Sequence, residues 1–123
     1  MKKKDVKVQN NDLVLICKKT TFYSLKDEDA FFESIKKIDC IEKFEGVYDE
    51  LHLYIACLDL HDEDLRDLIA LFYRYKIRKM NQLAIFLNKD NKKWFYDNKN
   101  AFWHKKIFGG KKIEMNSLNS ITQ

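Results

Sequence analysis

The chain has 123 residues, 46% hydrophobic and 14% aromatic, with no proline and a formal net charge of +4. One domain is expected at this length, and folding would bury roughly two-thirds of the surface the unfolded chain exposes, which excludes disorder except at the ends. No apolar run approaches the length needed to span a bilayer, so no membrane partner is expected.

The opening MKKKDVKVQNN is basic and then polar, whereas a signal peptide needs an apolar stretch there. Residues 1–11 read as a charged arm, 12–109 as the globular core and 110–123 as a polar tail of a single domain. Cys17, Cys40 and Cys57 are odd in number and lack CxxC spacing. Each lies in or beside a strand-like stretch, where a free thiol behaves as a small hydrophobe. Reduced thiols make a cytoplasmic location the expectation.

Leu13 to Cys17 is a short apolar run bounded by polar residues and reads as a buried strand. Ser24-Leu25-Lys26-Asp27 has the form of a helix-opening capping box. Phe31, Ile35 and Ile38 follow at i, i+4 and i+7, while Asp27, Glu28 and Asp29 in the first turn and Lys36 and Lys37 in the last suit the helix dipole.

A hairpin is expected next: Ile41 to Val47, a turn at Tyr48-Asp49-Glu50, and a return strand from Leu51 to Leu58 with a period of two. A second helix runs from about Asp62 to Lys76, with Leu65, Leu68, Ile69, Phe72 and Tyr75 as its buried stripe. Gln82 to Leu87 reads as a fourth strand. The order βαββαβ is the split pattern of the ferredoxin-like α+β fold, with two helices on one face of a four-stranded antiparallel sheet.

Each central strand also has apolar residues on its second face: Val14 and Ile16, Tyr54 and Ala56, Ala84 and Phe86. A wet face would be polar there, so a cover is expected. The aromatic-rich segment from Trp94 to Phe108 supplies one, because Phe95, Phe102, Trp103 and Ile107 share one side of a helical segment. Its lysines then stay solvated, with their stems over apolar surface.

Catalytic chemistry has little support. Three glycines cannot build a phosphate loop. His61-Asp62-Glu63-Asp64, with Cys57 four residues before His61, suggests a metal, but that spacing crosses from a strand into a helix start. Acids at a helix N-terminus need no reason beyond the dipole. No catalytic residue, metal site or cofactor is expected, and an enzyme is not the favoured reading. The first strand carries no aromatic residue for base stacking, which counts against the RNA-binding variant of the fold.

Charge is divided along the chain. From Asp39 to Leu71 ten acids face only Lys43 and Arg66, whereas Lys92 to Lys112 holds seven lysines and one acid, Asp97. The plain reading of the acids is a solvated helix start and a hairpin turn. The sharper one is a contact surface for a basic partner, formed by Asp49, Glu50, Asp59, Asp62, Glu63, Asp64 and Asp67.

Two stretches, LRDLIALFYRY (Leu65 to Tyr75) and WFYDNKNAFWHKKIFG (Trp94 to Gly109), resemble small bacterial immunity proteins of polymorphic toxins, including those of contact-dependent growth inhibition systems. The likeness extends from about Phe22 to Gly109. It implies a cytoplasmic protein that binds a cognate toxin domain one to one and blocks its active site or substrate access. It brings no catalytic motif and no mapped interface residues. The alternative is a small nucleic-acid-binding module using Lys92, Lys93, Lys99, Lys105 and Lys106 with exposed Trp94 and Trp103; nucleic acid is the less favoured partner.

Overall fold

The computed structural model describes residues 13–18 and 22–109. The arm (1–11) and the tail (110–123) expected from the sequence lie outside these. The chain forms two compact units, one ending at Arg78 and the other beginning at Lys79.

The first unit is α+β. Its elements are β1 (Val14–Lys18), α1 (Leu25–Lys37), β2 (Ile41–Val47), β3 (Glu50–Ile55) and α2 (Asp62–Arg74). The sheet is antiparallel with order β1-β3-β2. Leu15, Phe44 and Leu53 stand in one cross-strand row and Ile41 and Ile55 in another, giving one apolar face. Leu15, Cys17, Ile41, Leu53 and Ile55 are buried. Phe32 of α1 meets Phe44 at 5.6 Å between ring centroids, which sets α1 over that face.

Helix α1 starts as its sequence dictates. The Asp27 N–H donates to the Ser24 hydroxyl at 3.2 Å, and the Asp27 carboxylate accepts from the Tyr23 N–H at 3.1 Å. The reciprocal half of the capping box thus falls one residue before the cap. Phe31, Ile35 and Ile38 are buried, as their spacing requires. In α2, Leu65, Leu68, Ile69 and Phe72 are buried together with Leu71. Tyr75 is only half-buried, with its ring 4.9 Å from that of Phe31.

The hairpin is tighter than expected. Val47 pairs with Glu50, leaving a two-residue turn, Tyr48-Asp49, and β3 stops at Ile55 rather than Leu58. Near its start β2 carries a bulge, where the register shifts between Ile41 and Lys43.

The second sheet face is polar as well as apolar. Glu50 accepts from His52 Nε2 at 2.9 Å and lies 3.7 Å from Lys18 Nζ. Tyr54 donates its hydroxyl to Glu45 at 3.0 Å, and Lys43 Nζ sits 4.7 Å from the Tyr54 ring centroid. Val14, Ile16 and Tyr54 are half-buried, and Ala56 is exposed beyond the end of β3.

The expected fourth strand is not a strand. Residues 80–86 form a 3-10 helix in the second unit, so the described sheet has three strands and the βαββαβ order is not completed. Met80, Leu83 and Phe86 are its buried residues, three apart, which is the repeat of a 3-10 helix and not of a strand. A short, almost continuously apolar run fits either periodicity. Ala84 and Phe86 are therefore not strand residues, and one of the three residue pairs that gave the reason for expecting a cover on the second sheet face disappears.

The second unit continues with α3 (Lys92–Phe95) and a π-helical turn (Lys105–Gly109). Buried Asn91 ties its start. Its Oδ1 accepts from the Asn88 N–H, its own N–H donates to Asn88 Oδ1, and its Nδ2 donates to the Phe86 carbonyl, each at 2.9 Å.

Candidate partner-binding surface

The seven acids singled out in the sequence do not form one surface. Asp49 and Glu50 lie at the hairpin tip, while Asp59, Asp62, Glu63, Asp64 and Asp67 lie in and after the connection that leaves the other end of β3. Five residue steps separate Glu50 from Ile55, which is about 17 Å along a strand. Glu50 is also engaged within the chain by His52 and Lys18.

The remaining acids gather around the start of α2. Asp62, Glu63 and Asp64 occupy its first turn, where the unpaired N–H groups and the dipole favour negative charge. The N-cap residue, His61, makes no side-chain cap hydrogen bond, so these carboxylates supply the favourable charge at this end. Asp67 lies beyond the first turn. In the connection before α2, the Asp59 carbonyl accepts from the exposed Cys57 thiol at 3.5 Å.

Asp39 joins this group, and the sequence reading of the site missed it. Pairing of Ile41 with Ile55, extended by the Ala56 N–H donating to the Cys40 carbonyl at 2.9 Å, brings the α1–β2 connection beside the β3–α2 connection. The contact between the two connections becomes visible only when the hairpin register is known.

The electrostatic result is repulsion. Partial burial raises the Asp64 carboxyl above its ordinary value, and Asp39, Asp67 and Glu63 raise it further against a lowering effect of His61. Asp67 is raised by partial burial and by the charges of Glu63 and Asp39. Carboxylates from the α1–β2 connection and two turns of α2 are thus held together at an unfavourable cost that the helix dipole does not explain for Asp39 or Asp67.

Among the described residues no group of three His, Cys, Asp or Glu side chains is placed to hold a metal ion. No helix among them is long and apolar enough to cross a membrane.

The tryptophans that the nucleic-acid alternative would expose on the basic segment are not free platforms. Trp103 is 7% exposed and Trp94 half-buried, with ring centroids 6.1 Å apart. Phe95 packs against Trp103 at 5.7 Å and Phe108 at 5.0 Å, and Tyr96 meets Phe108 at 5.0 Å. Buried His104 donates from Nε2 to the Tyr96 carbonyl at 2.7 Å, which sets its tautomer. The aromatic segment is therefore a core of its own unit. Phe102, expected on the buried side, is instead exposed in the turn between the two helical pieces. Comparison with protein families, with curated proteins and with solved structures finds no match to this chain.

Proposed function

We propose that this chain is a non-enzymatic immunity protein that binds a cognate bacterial toxin domain, such as a nuclease, and blocks its active site or substrate access. The observation that carries the reading is the clustering of Asp39, Glu63, Asp64 and Asp67, in which partial burial and the neighbouring carboxylates raise the Asp64 and Asp67 carboxyls. Like charges held together are unfavourable in the free protein. A cationic partner relieves that repulsion on binding and is steered to the surface from a distance. The phosphate-binding cleft of a nuclease has the complementary charge. The resemblance of residues 65–75 and 94–109 to toxin immunity proteins supports the same class.

Asp39 and Asp67 are the residues to test, because neither lies in the first turn of α2 and reversing them leaves the dipole complement intact. The probe is the C-terminal domain of the protein encoded immediately upstream, expressed with and without this chain. The wild-type chain restores growth. The Asp39→Lys/Asp67→Lys variant, folded by circular dichroism, associates at least about tenfold more slowly and protects poorly. Full protection by that variant removes the acidic surface from the proposal. Failure of the wild-type chain to protect removes neutralisation itself.

A further inference from the structure

Tyr48 is fully exposed at the tip of the β2–β3 hairpin, with φ at 59°. It is the first residue of a two-residue turn, and Asp49 after it does not share the positive φ. In that pattern glycine normally holds the first place, because a side chain there crowds the backbone. A large aromatic residue at positive φ is an outlier that local folding preferences do not supply.

Nothing within the described protein repays the placement. Among the described residues the Tyr48 side chain buries no surface against any neighbour, and no hydrogen bond or ring contact holds it. The base of the tip is, by contrast, tied down. Glu50 is gripped by His52 and Lys18, and the next cross-strand rows are linked through Glu45, Tyr54 and Lys43. The hairpin thus presents one aromatic ring and one exposed carboxylate, Asp49, on a fixed support.

We propose that Tyr48 and Asp49 form an insertion contact for a protein partner with a concave, cationic pocket. The tyrosine ring fills the pocket and faces a lysine or arginine of its wall, while Asp49 pairs with a cation at the rim. Tyrosine loses little rotamer freedom on docking, so a tip already held in position binds with a small ordering cost. The adjacent carboxylates repel phosphate and disfavour nucleic acid at this tip. The inference rests on reading the chain as a protein-binding domain, and it adds a contact at the end of the sheet opposite the carboxylate cluster.

The experiment has two arms, both on the full chain. In the first, p-benzoylphenylalanine replaces Tyr48, or Tyr23 as an exposed control, and is irradiated in cells of the source organism. The expected result is one protein adduct from position 48, absent from position 23, whose crosslinked residue lies among lysines or arginines. No adduct, a nucleic-acid adduct, a second copy of this chain, or the same adduct from both positions overturns the proposal.

In the second arm the captured protein is titrated with wild-type chain and with Tyr48→Gly. Binding is expected to weaken at least about tenfold while the melting temperature stays the same or rises. Equal binding by the two overturns the insertion contact. A captured protein that is not a toxin ends the neutralisation reading and leaves the contact standing. A toxin that binds both forms equally does the reverse.

Discussion

The Ile77 N–H donates to the Phe72 carbonyl at 2.9 Å, across the residue that ends α2. With the Lys76 N–H donating to the Tyr73 carbonyl at 3.2 Å, this is the paired arrangement of a Schellman cap, and buried Ile77 follows Phe72 into the core. The position that such a cap gives to glycine is held here by Lys76, at φ 51°. Left-handed backbone costs a non-glycine residue roughly 1–2 kcal/mol, and glycine gives part of that back through a freer unfolded chain.

Lys76→Gly is accordingly expected to stabilise the fold by about 0.5–1 kcal/mol, raising Tm by roughly 2–6 °C. Lys76→Ala should bring no such gain, because alanine keeps the crowded Cβ. Thermal denaturation of the three proteins checks this, and a gain from alanine equal to that from glycine would assign the effect to loss of the lysine charge.

Asp67 gives a pH-dependent prediction whose sign follows from its environment. Partial burial and the charges of Glu63 and Asp39 raise its carboxyl above the ordinary value of 3.8. The folded chain thus holds this proton more tightly than the unfolded chain does. As pH rises from 3.8 through the raised folded value, stability falls, and the penalty remains at neutral pH. Because the group is largely exposed, solvent screening keeps the effect small. Asp67→Asn should raise Tm by roughly 1–3 °C at neutral pH and leave it unchanged below about pH 3.5. Equal gains at both pH values would point to something other than charge repulsion.

The two units differ in how far their sequences disclose them. Helix α1 is legible because Ser24, Asp27 and the Phe31, Ile35 and Ile38 spacing all encode local geometry. Chain direction at 80–86 is not, since Met-Asn-Gln-Leu-Ala-Ile-Phe satisfies strand and helix periodicities together, and only the buried triplet Met80, Leu83 and Phe86 separates them. The acidic surface shows the same limit. Asp62, Glu63 and Asp64 announce themselves as a helix start, but Asp39 joins them through a strand register that no local pattern reports. Asp49 and Glu50, near in composition, are removed from the cluster by the length of β3.

The cysteines should separate sharply in reactivity. Burial pushes the Cys17 thiol up to about 12, so almost no thiolate exists near neutral pH. Cys40 is also buried, whereas Cys57 is exposed. Only thiolate reacts readily with an alkylating agent, and only where the reagent can reach it. Iodoacetamide at about pH 8 should therefore add one group quickly to the native chain, at Cys57. All three cysteines should react once the chain is unfolded. Intact-mass analysis over time reads the outcome; rapid double labelling of the folded chain would show that one of the other two sites opens.

Trp103 and Trp94 decide between an aromatic core and a base-stacking surface in the segment where lysines and aromatics alternate. Trp103 is buried and its ring meets Trp94, Phe95 and His104. A stacked base needs a free ring face on the protein, and this packing leaves Trp103 little face to offer. Tryptophan emission should therefore lie well to the blue of the free amino acid and shift to the red only on unfolding. Adding a single-stranded oligonucleotide at low salt should leave its intensity unchanged, even though Lys93, Lys99, Lys105 and Lys106 are exposed and can attract phosphate weakly. Quenching that saturates and is reversed by added salt would mean that a tryptophan face opens to the base. In that case Trp94, the less buried of the two, is the ring to replace first. Retained quenching in Trp94→Phe would then trace the stacking to Trp103 and require the aromatic core of this unit to open.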